Sequence, residues 1–201
     1  SMELWPQWIE TLQAHQPDLK LHPGLLQIAE DEQAAERMES LAAQRVDLGL
    51  QIVTNVGLEG IWPTASHGGL HSRHDGRIDP LLLQQALRQA LAEQNVELNA
   101  TAVIRLERND THWRVHHADG NSSVHDLVVL CTALNSDVLL EPLGQARPMT
   151  PVLGQALSLE LTTGPPTWSH WPSVLVDQGF NLIPTATAVS YTHLRAHETP
   201  C

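Results

Sequence analysis

Residues 68–98 read GGLHSRHDGRIDPLLLQQALRQALAEQNVEL, and the fold reading starts from Asp79-Pro80 within them. An aspartate carboxylate accepts hydrogen bonds from the unpaired N–H groups of a helix's first turn. Proline at the first helical position loses nothing by lacking an N–H. Leu83, Ala86, Leu87, Ala90 and Leu91 then recur at helical spacing. The pattern predicts a helix from Pro80 to about Glu93.

Downstream, residues 96–98, 101–108, 113–117 and 124–131 are short and strand-like, with Asp119-Gly120 as a hairpin turn between the last two. Residues 152–161 alternate in their second half. Residues 163–172 are a loop rich in Pro and Trp. Residues 174–176 and 180–183 form a strand pair around Asp177-Gln178-Gly179.

Upstream, residues 62–76 are rich in Gly, His and Ser without periodicity and read as a loop. Residues 50–56 read as a strand. Asp31 opens a helix carrying Ala34, Ala35, Met38, Leu41, Ala42 and Leu48 and ending near Gly49. Residues 24–29 form a short strand after a break at Pro23-Gly24, and residues 4–12 an amphipathic helix. The fold class is mixed α/β (α+β), with more antiparallel strand than a doubly wound sheet contains.

The hydrophobic fraction of 42% supports a packed core. The formal net charge is −12, from 23 acidic and 11 basic residues. That surface repels phosphate backbones and argues against nucleic-acid binding, but not against a nucleotide cofactor held by backbone N–H groups. The two cysteines, Cys131 in an apolar run and Cys201 at the end, imply no disulfide framework. No stretch has the length of a membrane span, so the expected setting is cytoplasmic. Oligomeric state is not legible.

Twelve histidines invite a metal reading, with His67, His71, His74 and Asp75 the densest group. Spacings of four and three suit one helix face, but Gly68, Gly69 and Gly76 argue against a helix there, so no metal site is assigned. Neighbours His116 and His117 point to opposite faces of a strand. Cys131 reads as a small buried apolar group. GxSxG, P-loop and GxGxxG motifs are all missing. The residues alone give no catalytic constellation.

The order of five motifs resembles that of FAD-dependent oxidoreductases of the D-amino acid oxidase and glycine oxidase family. "DGRIDP" at 75–80 is similar to the family's D-G-x-[VI]-D-P before a helix. Thr101-Ala102-Val103 is similar to its T-x-V strand. "VVLCTALNS" at 128–136 resembles V-V-x-A-x-G-x-W-S. "PMTPVLGQALSLEL" at 148–161 resembles P-x-x-P-V-[RK]-G-Q-x-L-x-L. "FNLIP" at 180–184 resembles x-Y-[IL]-[VI]-P. The resemblance implies FAD as cofactor and a small amine or amino acid as substrate. It implies that the backbone of Val103, with Ala102, meets the FAD adenine, that Thr132 and Ala133 form a turn beside the flavin nucleotide, and that Asn181 meets the substrate. It names no catalytic residue, because flavin itself accepts the hydride.

Several positions depart from the family pattern. Ala133 stands where glycine is usual, and its methyl is expected to crowd a close backbone approach or forbid a positive φ. Asn135 replaces a tryptophan and Asn181 a tyrosine. Leu153 replaces a basic residue, as does Thr185. The resemblance further implies an internal part of a longer chain, with the pyrophosphate-binding glycine turn before Ser1 and the carboxylate-binding arginine after Ala188.

The expected architecture is part of an FAD-binding domain of D-amino acid oxidase type at 67–142, and parts of an antiparallel-sheet substrate domain at 1–66 and 143–188. Residues 189–201 resemble translated adapter sequence and read as a non-native tail, or else as an ordinary polar one. Such a chain alone is expected to be inactive. Three alternatives stay open: a flavoprotein of the same family with another reaction, a non-catalytic α/β binding module, and a histidine-loop metalloprotein.

Overall fold

A computed structural model of the protein describes residues 4–160, 171–184 and 188–195. They fall into two compact units: those up to Val96 together with those from Leu153 onward, and Glu97–Val152.

The first unit is built on a seven-stranded sheet. Its strands are β1 (Leu21–Ile28), β2 (Leu50–Val53), β3 (Gly69–Ile78), β7 (Leu153–Glu160), β8 (Val174–Asp177), β9 (Phe180–Pro184) and β10 (Ala188–Arg195), in the spatial order β2-β3-β1-β8-β9-β10-β7. Every pairing is antiparallel except β1 with β8. One face carries Leu26, Leu175 and Leu182 in register across three strands. These leucines pack with Ile28, Leu58, Ala65, Trp62 and Trp171.

Four helices accompany this sheet: α1 (Trp5–Leu12), α2 (Glu32–Gln44), α3 (Asn55–Leu58) and α4 (Pro80–Glu93). The reading of α4 holds. Asp79 Oδ1 accepts from the Leu81 and Leu82 N–H groups at 2.8 and 3.1 Å. Ala86 is buried with Ile9, Leu12 and Leu19, which joins α4 to α1. Asp31 caps α2 by accepting from Ala34 N–H, and Met38 packs with Ala29 and Leu70.

The second unit holds a three-stranded antiparallel sheet of β4 (Val103–Asn109), β5 (His112–His117) and β6 (Ser122–His125), in that order. Asp119-Gly120 lies in the β5–β6 turn, with Gly120 at φ +86°. A short helix, α5 (Ser136–Leu140), contributes Leu139 to a core with Leu106 and Val115.

The structure corrects several expectations. Most of 62–76 is not loop: β3 pairs with β1 on one side and β2 on the other. Backbone pairing decides a strand where side chains show no alternation. Gly69 fits there because a Cβ would strike the Gln27 carbonyl oxygen. Pro23-Gly24 does not break the chain; it forms an irregularity within β1, with Gly24 at φ +96°. α2 stops at Gln44, and Val46–Leu48 forms a single 3₁₀ turn closed by Gly49 in the left-handed region. β2 ends at Val53, where Thr54 Oγ1 accepts from Gly57 N–H and opens α3.

Residues 96–98 are not a strand, and β6 ends at His125, so 126–131 lies outside the sheet. Val128 and Leu130 still pack inward, while Leu127 and Val129 stay exposed. Most of the expected loop at 163–172 lies outside the described residues. Residues 188–195 form β10, between β9 and β7, where the sequence reading placed no strand from 189 onward; Val189, Tyr191 and Thr192 favour extended backbone. The segment 67–96, grouped from sequence with 97–142, packs in the first unit because β3 lies inside the large sheet. No described helix is long and apolar enough to cross a membrane.

Candidate functional site

Ala102, Val103, Thr132 and Ala133 all lie in the second unit, and Asn181 in the first. Ala102 and Val103 are exposed at the start of β4, an edge strand of its sheet. The Ala102 carbonyl oxygen accepts from Ala118 N–H at 2.8 Å, so this carbonyl points toward β5. In a trans peptide the next N–H points the opposite way. The Val103 N–H is therefore directed outward, past the sheet edge. An irregularity in the pairing with β5 follows between Val103 and Arg105. The outer edge of β4 thus presents a backbone donor at Val103.

The Thr132-Ala133 turn follows Val128 and Leu130, which anchor it on the Leu106 core. Asn135 N–H donates to the Thr132 carbonyl at 3.0 Å, and the Thr132 and Ser136 hydroxyls are hydrogen-bonded at 2.9 Å. Ala133 sits at φ +46°. The expectation that its methyl forbids a positive φ is thus overturned: the turn closed across Thr132, Asn135 and Ser136 holds an alanine where glycine would rest without strain.

Asn181 is half-buried in β9, in register with Val176 and Thr192. Alternation puts it on the sheet face opposite Leu182. Two further contacts in the first unit were missed from the sequence. Trp62 Nε1 donates to Asp177 Oδ2 at 3.1 Å, and its ring meets Trp171 edge-on at 6.1 Å. Arg77, from the "DGRIDP" motif, donates through Nε to the Ser173 carbonyl at 3.1 Å and through Nη2 to the Pro184 carbonyl at 2.9 Å. A basic residue after a glycine in a strand carries no sequence signal for such a clasp, since its partners lie about a hundred residues away in the chain.

Burial depresses the affinity of His22 for a proton, and the neighbouring Arg77 and Lys20 add to this. Burial, then Arg73, does the same to His71. His71 stands against Gly24 and His74 against Gly49, so these two lie along β3 while His67 precedes it. Among the described residues no three His, Cys, Asp or Glu side chains gather as metal ligands. On the outer face of the small sheet, His116 Nε2 lies 3.1 Å from Glu107 Oε2 and 3.0 Å from Arg105 Nη2. The bond to His116, then the charge of Arg105, holds the Glu107 carboxyl below its usual range. Cys131, expected to be buried, is exposed.

A groove of about 340 Å³ between α1 and α4 is lined by Leu4, Trp5, Trp8, Leu12, Leu83 and Leu87. Its lining is almost entirely apolar, with the indole N–H groups of Trp5 and Trp8 as the side-chain donors it carries.

A family model described as "FAD dependent oxidoreductase" matches residues 1–196. The chain belongs to this family of FAD-dependent oxidoreductases. The cofactor is FAD, and the mixed α/β fold is shared with solved oxidase structures. Iminodiacetate oxidase from Chelativorans sp. BNC1 is similar with a TM-score of 0.79 and 20% identity, over 98% of this chain and 56% of that one. Glycine oxidase from Bacillus cereus ATCC 14579 gives 0.79 and 16%, over 96% and 54%. L-proline dehydrogenase from P. horikoshii gives 0.75 and 16%, over 96% and 53%. The chain spans about half the length of these solved structures. No curated protein matches it in sequence.

Proposed function

We propose that the whole protein oxidises a small amine or amino acid, of the D-amino acid or glycine kind. The substrate carbon beside nitrogen gives up a hydride and the nitrogen a proton, which passes to solvent, leaving an imine. Bound FAD supplies the two-electron acceptor for this chemistry. The observation that carries the reading is the outward Val103 N–H on an edge strand, in a chain of the FAD-dependent family. In this reading Val103 and Ala102 hold the adenine end and the Thr132-Ala133 turn borders the nucleotide. Asn181 presents its amide to the substrate from β9, where it both donates and accepts. No side chain is assigned as a catalytic base.

The test is anaerobic mixing of the full-length, flavin-loaded protein with glycine and with D-amino acids. Bleaching of the flavin absorbance bands is expected with at least one of them. A protein that stays oxidised with every such amine overturns the substrate class, and one that takes up no flavin overturns the cofactor roles.

A second reading concerns the electron acceptor, since both oxidases and a dehydrogenase are among the similar structures. Peroxide formed in step with substrate marks an oxidase. Turnover only with an added dye or quinone marks a dehydrogenase.

A further inference from the structure

We draw no further inference here: the strongest candidate, the apolar groove between α1 and α4 that Leu4, Trp8 and Leu87 leave partly exposed, carries nothing because nothing in the structure shows what covers it.

Discussion

The Ala118 N–H reaches the Ala102 carbonyl oxygen at 2.8 Å, and that bond turns the next N–H, on Val103, away from the sheet. Proline at 103 would remove the outward donor without taking a hydrogen bond from β4–β5, and proline is tolerated at the first residue of an edge strand. In full-length protein, Val103→Pro should weaken FAD binding about tenfold, the worth of one hydrogen bond of about 1.4 kcal/mol. Val103→Ile keeps the donor and should bind normally. Flavin release on dilution measures both. Equal affinities would remove Val103 from the cofactor site.

Asp79 accepts from two N–H groups at the start of α4. Replacing it with alanine strands both donors, so Asp79→Ala should destabilise the first unit by about 1 kcal/mol, as other N-cap losses do. Asp79→Asn keeps an accepting oxygen and should recover most of the loss. Urea unfolding of the three proteins checks this. Equal midpoints for wild type and Asp79→Ala would show that α4 is held by its packing, through Ala86, Leu82, Leu83 and Ala90, without help from the cap.

What could be read from the sequence followed from how local each signal is. Asp79 and Asp31 cap helices whose bonds close within three residues, so their positions suffice. The β8–β9 pair and the Asp119-Gly120 turn are likewise local. β3 was hidden because its burial comes from β1 and β2 on either side, while its own side chains include His71, Arg73 and His74. Val128 and Leu130 looked like strand residues because they alternate inward, but they pack on Leu106 without joining the β4-β5-β6 sheet. At the candidate site, Val103 was reachable only through family resemblance, because a backbone donor leaves no mark on side-chain identity. The Arg77 clasp joins residues some hundred positions apart and had no signal at all.

Half-buried His22 and His71 bind protons more weakly in the folded chain than the ordinary imidazole, which titrates at 6.5. Protonation therefore favours the unfolded chain. Stability should be at its full value well above the ordinary imidazole range. It should fall as pH drops through that value, and level off once pH is below the folded-state values. His22→Gln with His71→Gln should flatten this part of the profile relative to wild type. Urea midpoints across the range give the comparison. A wild-type profile that rises as pH falls from neutral, by an amount the double variant abolishes, would reverse the sign.

Ala133 is held at φ +46° by a turn that closes from Thr132 to Asn135 and Ser136. For an L-residue with a Cβ, the left-handed region costs roughly 1–2 kcal/mol, whereas glycine enters it freely. Glycine also gives the unfolded chain more freedom, which returns roughly 0.5–1 kcal/mol of the gain. Ala133→Gly should therefore stabilise the second unit by a net of about 0.5 kcal/mol, against the general tendency of glycine to destabilise. A control fixes the interpretation. Ala146 lies in the same unit and has a negative φ, so Ala146→Gly should stabilise nothing. Unfolding midpoints of the two variants are compared under the same conditions. If both lose stability alike, Ala133 is not in the left-handed region in solution, and the turn has another shape. If Ala133→Gly alone gains, the turn retains the backbone that a glycine would supply, and the alanine there contributes strain in place of freedom.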